Sequence, residues 1–314
     1  DVAPSRGLGD VYKRQGQGAQ KLGMARDLYD QYEIVKATFD EASQALGYDL
    51  RALIDDDEEK LNETKYTQPA ILTTSVAILR LLSENGIKPD LVAGLSLGEY
   101  SALVASGIID FQEAVKLVAK RGQYMTEAAP TGSGKMVAVM NTDPALIEEI
   151  CQKAAEFKGG IVSPANYNTP AQIVIGGEVE AVDYAVELLK EAGVRKLIEL
   201  KVSGPFHTAI LKPASEKLAL ELDKIDFRPF ELPLISNTSA KVMENDEVKG
   251  LLTRQVMEPV RFYESVETMQ KLGATRFIEV GPGRVLSGFI KKIDKNAEIA
   301  NVENLASFEA LINQ

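Results

Sequence analysis

The chain is poor in the residues that much enzyme chemistry depends on. Its 314 residues include one cysteine, Cys151, and one histidine, His207. A single thiol excludes an intrachain disulfide, gives a metal cluster no ligands and fits a reducing compartment. A basic surplus is also missing. The formal charge is −11, so no cationic excess exists to neutralise a phosphate backbone, and a nucleic-acid partner is not expected. No apolar run reaches the length of a membrane span, no secretory leader is visible, and no low-complexity tract or repeat of fixed period occurs. The expectation is a cytoplasmic protein without a membrane partner. Any reaction that needs an imidazole must use His207.

What is present is an alternation of strand and helix patterns. Residues 69–85 predict an apolar helix with Pro69 near its first turn and Gly86 past its end. Residues 90–94 read as a short buried strand, and a helix follows from about Gly98 to Ser106, stopping at Gly107. Asp110 and Glu113 have capping-box spacing at the start of the next helix. From about residue 136 the order becomes strand, helix (143–157), strand, strand, helix (178–192) and strand (196–202), with Asn168, Thr169 and Pro170 as a turn. That βαββαβ order is ferredoxin-like. Further on come a helix ending near Asp223, a strand in 231–236, helices near 246–257 and 262–272, a strand at 276–280 and a last helix after Gly-Pro-Gly.

The expected fold class is therefore α/β. A large parallel-sheet, α/β-hydrolase-like domain would comprise 16–130 and 203–314, with a small ferredoxin-like subdomain, 131–202, inserted in it. Sites in such sheets lie at the carboxyl ends of strands.

Ser96 stands at one such end. Gly94-Leu95-Ser96-Leu97-Gly98 fits G-x-S-x-G with a strand before it and a helix after it, the context the pattern requires. A tight strand-to-helix bend lifts the serine oxygen clear of the sheet, and the flanking glycines let backbone approach without a Cβ. The Leu97 N–H, at the helix start, would then point to where an oxyanion forms.

His207 follows the strand at 196–202 and precedes a helix, so it lies on a loop beyond a strand end. A neutral imidazole there could take the serine proton and return it to a leaving thiolate. No acidic third member is evident; a backbone carbonyl could orient the ring instead. Arg121 falls at helical spacing with Ala114, Val118 and Met125 on an apolar face. It either snorkels near the helix end or faces inward, where it would need a carboxylate partner that a substrate could supply.

The segments GLSLGEYSAL, KRGQYM, ANYNTPAQIVIGG, GPFH, SNTSA, RQVMEPVRF and EVGPGRVLSGFIKK, in that order, resemble the malonyl-CoA:acyl carrier protein transacylases of fatty-acid synthesis. The likeness runs from residue 16 to the end. It implies a ping-pong transfer from malonyl-CoA to the phosphopantetheine of acyl carrier protein, with no permanently bound cofactor and a monomeric enzyme. By the same resemblance Ser96 is the nucleophile and His207 its base, while Arg121 grips the malonyl carboxylate. Gln17 and Leu97 would supply the oxyanion N–H pair, the Gln255 main-chain carbonyl would orient the histidine, and Asn166 would line the substrate channel. Phe206 matches the malonyl-type pattern, because methylmalonyl-type relatives usually carry serine there. A serine hydrolase or thioesterase built on the same dyad is the alternative.

Residues 1–15 depart from the family, which opens with an apolar strand ending in Phe-Pro. Here that strand is not expected; the segment reads as foreign or, alternatively, as a genuine but divergent arm, and an inactive paralogue is a further alternative. Lys291, Lys292 and Lys295 form either a solvated face or a dock for an acidic carrier protein. Residues 54–60 read as a solvated loop or helix start.

Overall fold

β-branched and aliphatic residues that alternate along short strands, buried on both faces, dictate a sheet covered twice. The computed structural model describes residues 2–5, as backbone, and 18–314. The described strands are β1 Val2–Ser5, β2 Leu91–Gly94, β3 Lys135–Met140, β4 Val162–Thr169, β5 Gln172–Gly177, β6 Leu197–Leu200, β7 Leu234–Ile235, β8 Val260–Arg261, β9 Arg276–Val280 and β10 Glu298–Val302. One sheet has the order β10-β9-β1-β2-β7 with every pairing parallel. The other has the order β6-β3-β5-β4-β8.

The double cover of the parallel sheet is visible along β2. Val92 joins a core with Ile71, Leu72 and Leu103, whereas Leu91 and Ala93 join a second core with Phe277, Phe289 and Ile290. In the second sheet, Val137, Val139, Ile173 and Ile175 pack on the helices Pro144–Lys158 and Val179–Glu191. That arrangement is the βαββαβ unit, and the α/β class stands. β8, from the later part of the chain, adds a parallel strand beside β4. Cys151 is buried in this small core, and burial pushes its thiol up to about 12.

Several local expectations are corrected. Val2–Ser5 is a strand, bracketed by β2 and β9, with Val2 opposite both Leu91 and Phe277. Both neighbours carry ladder groups that need partners, so the segment pairs there even though Pro4 removes one donor. The helix expected from Pro69 starts at Thr64, which places Pro69 inside it. The Asp110 side chain does not cap its helix; it pairs with Arg228 Nη1 at 2.8 Å instead. An ion pair with a guanidinium competes for the same carboxylate oxygens that a cap would use. Asn168 and Thr169 belong to β4, and the turn shortens to Pro170 and Ala171. After the Gly-Pro-Gly helix, Val285–Ile293, the chain adds β10 and a helix, Leu305–Ile312.

Candidate active site

β2 ends at Gly94 and the helix Leu97–Ala105 begins three residues later, so the chain turns at Ser96 with φ 56 and ψ −112. A non-glycine residue at positive φ is strained and persists only where its surroundings hold it. Gly94 makes the bend possible, because a Cβ there would fall inside the backbone of Gly98 and Glu99. The Leu97 N–H opens the helix and so has no partner within it.

His207 is also held at positive φ, 61, and is anchored by its own N–H to the Val256 carbonyl. Its Nε2 lies 2.9 Å from Ser96 Oγ and its Nδ1 lies 2.7 Å from the Gln255 main-chain oxygen. A carbonyl only accepts, so Nδ1 carries the proton and Nε2 presents its lone pair to the serine. Burial lowers the imidazole to about 4, and the positive charge of Arg121 adds to the effect. The ring is therefore neutral near pH 7.

Arg121 points inward from the helix Phe111–Ala128 and is only 1 % exposed. It donates from Nη2 to Ser96 Oγ at 3.1 Å and to Gln255 Oε1 at 3.1 Å, and from Nη1 to Gln68 Oε1 at 2.9 Å. Its guanidinium also lies over the Tyr100 ring, 5.2 Å from the centroid. The inward alternative left open by the helical spacing is the one adopted. Gln255 closes the circle by donating from Nε2 to the Ser96 carbonyl at 2.9 Å.

The fold thus gathers Ser96, Leu97, Arg121, His207 and Gln255 from four chain segments. Phe206 precedes the histidine and walls a cavity of about 540 Å³ with Lys65, Gln123, Thr126, Thr131 and Ser203. Asn166 is buried in β4, pairs with Val260 through its backbone, and its carboxamide hydrogen-bonds to none of these residues. Gln17 lies outside the described residues. Among the described residues, no group of three or more histidine, cysteine, aspartate or glutamate side chains could hold a metal ion.

Sequence reasoning missed Gln68, Glu99 and Asn237. Gln68 sits one residue before the expected helix start, and reading the helix from Thr64 would have put it on the buried face. Asn237 lies in the SNTSA segment, whose residues carried no role on their own.

Residues 11–308 match the family model described as acyl transferase domain. The chain belongs to this acyltransferase family. A malonyl CoA-acyl carrier protein transacylase of Bacillus subtilis (strain 168) is 46 % identical over 299 residues, 95 % of this chain and 94 % of that one. The crystal structure of MCAT from Streptococcus pneumoniae has a TM-score of 0.95 at 64 % identity, covering 99 % of both chains. A complex of a type II PKS acyl-carrier protein with its malonyl-transacylase gives 0.91 at 42 % identity, covering 99 % of this chain and 98 % of that one. In this acyltransferase the serine, the neutral imidazole and the helix-start N–H form a set suited to covalent acyl transfer.

Proposed function

We propose that this acyltransferase moves a malonyl group from malonyl-CoA to the phosphopantetheine thiol of an acyl carrier protein, through an ester on Ser96. Arg121 carries the reading: a buried guanidinium 3.1 Å from the attacking oxygen suits an acyl group that brings its own carboxylate. A hydrolase of neutral esters has no use for that charge. The Bacillus subtilis relative and the carrier-protein complex support the choice of donor and acceptor.

In the first half-reaction His207 Nε2 takes the Ser96 Oγ proton as Oγ attacks the thioester carbon. The oxyanion forms beside the Leu97 N–H, with Gln17 as the proposed second donor; one such donor contributes about 3 kcal/mol. The carbon–sulfur bond breaks and the imidazolium protonates the departing CoA sulfur. In the second half the carrier thiol gives its proton to His207 and its sulfur attacks the malonyl ester. Ser96 Oγ then leaves and recovers the proton. Gln255 holds the imidazole through its carbonyl, so no acidic residue is needed for that task.

These steps need no resident cofactor and draw on one chain, consistent with a monomer. Phe206 would limit bulk near the acyl group, and Asn166 would face the substrate channel. Among the described residues no helix is long and apolar enough to cross a membrane, and the cytoplasm is the proposed location. Lys291, Lys292 and Lys295 are exposed and available to an acidic carrier protein.

The test is mass spectrometry of the protein after parallel exposure to malonyl-, methylmalonyl- and acetyl-CoA. A malonyl adduct on the Ser96 peptide, displaced by carrier thiol faster than by water, is expected. Absence of the adduct removes the proposal, and faster displacement by water assigns the dyad to a hydrolase.

A further inference from the structure

The bend at Ser96 needs something to hold it, and the holder comes from far along the chain. Asn237 follows β7, the edge neighbour of β2. Its side-chain Oδ1 accepts the Ser96 N–H at 2.7 Å, while its Nδ2 donates to the Gly94 carbonyl. One carboxamide therefore spans the residues on both sides of Leu95. Its own main-chain N–H is bound by Glu99 Oε2 at 2.5 Å, and Glu99 is wholly buried one turn into the helix that Ser96 begins. Strand end, serine, helix and the loop after β7 are thus tied in one closed set of hydrogen bonds.

We infer that Asn237 is a positioning residue for the reaction, with Glu99 as its anchor: together they hold Ser96 at positive φ so that Oγ stays between His207 and Arg121. The inference rests on the proposed acyl transfer through Ser96. The chemistry calls for an amide. The Ser96 N–H needs an acceptor and the Gly94 carbonyl needs a donor, and only a side chain with both, at this length, serves the two at once. Aspartate has the same shape but would set a carboxylate oxygen against the Gly94 carbonyl. Burial pushes the Glu99 carboxyl up to about 8, so it stays mostly protonated at neutral pH and still accepts through Oε2. A bend that relaxes moves the attacking oxygen off its line without changing the carboxylate grip of Arg121. The effect should therefore fall on kcat and spare KM.

Single-turnover acylation of the full chain by malonyl-CoA, followed by mass, tests this in Asn237→Asp, Asn237→Leu, Glu99→Leu and Glu99→Gln. The expectation for both Asn237 variants and for Glu99→Leu is a rate lower by about a hundredfold, as for a misplacement of about 1 Å, with half-saturating malonyl-CoA within twofold of the unaltered protein. Glu99→Gln keeps an acceptor for the Asn237 N–H and should recover at least tenfold over Glu99→Leu. Unchanged rates in folded Asn237→Asp, or equal rates in the two Glu99 variants, overturn the inference. So does a loss confined to affinity. If the Asn237 variants do not fold, the Glu99 pair decides alone. Failure of the unaltered protein to acylate would instead refute the proposed function and is thereby distinguished.

Discussion

His207 in the resting site is a weak base, because burial and the neighbouring guanidinium both disfavour its charged form. Under the proposed binding mode, a substrate carboxylate on Arg121 would cancel the second cause, and the imidazole would become more basic once malonyl is bound. The active form is the neutral ring, and activity is lost as pH falls through its pKa. The acid limb of kcat/KM for acylation should inflect far below the ordinary histidine value of 6.5, near 4, and that of kcat at a higher pH. Stopped-flow acylation across pH 3.5–7.5 measures both; coincident limbs would separate Arg121 from the tuning of the base. Arg121→Ala should slow malonyl acylation by about thirtyfold or more, the cost of leaving one charge of such a pair unmatched. Acetyl acylation should fall far less. Competition between the two CoA esters reads the ratio, and an unchanged ratio removes Arg121 from substrate selection.

At the level of elements, the strand-to-helix bend is where the fold and the chemistry meet. β2 must end without a side chain at Gly94 so that the helix Leu97–Ala105 can start at once. Gly94→Ala should destabilise the protein by about 3 kcal/mol or prevent folding, since the intruding methyl meets backbone that cannot yield. Gly250 is the contrast. It lies in the helix Val248–Gln255 with open space where a Cβ would stand, and Gly250→Ala should stabilise by about 0.5–1 kcal/mol. Denaturant unfolding of the two variants checks both signs. Equal midpoints would mean that the bend tolerates a Cβ.

For the whole molecule, two buried groups around the site give stability a defined pH dependence. Glu99 keeps its proton in the folded state up to about 8 but loses it near 4.5 when unfolded, so raising pH between those values weakens the fold. His207 acts in the opposite sense between about 4 and 6.5, where only the unfolded chain takes up the proton. The two slopes largely offset below 6.5. From 6.5 to 8 Glu99 acts alone, and a loss on the order of 2 kcal/mol is expected. Glu99→Gln should flatten that interval in urea titrations at successive pH values. An unaltered slope in the variant would place its source elsewhere.

Ser96, His207 and Arg121 were legible in the sequence for a physical reason. A serine between glycines at a strand end, a lone imidazole and a charge on an apolar helix face are each anomalies against a strong local background. The βαββαβ order was legible too, because period-two and helical patterns are set by neighbours a few residues apart. The start of the helix at Thr64 was not, since Pro69 imitates a first turn and only packing shows otherwise. Nor was the strand at Val2–Ser5, whose place depends on what β2 and β9 leave between them. Asn237 and Glu99 carry no local signal, because a carboxamide and a carboxyl acquire meaning only from groups more than a hundred residues away. Local chemistry therefore determined which residues could react. The tertiary structure decided which of them meet, because their distances depend on the closure of the sheet and not on spacing along the chain.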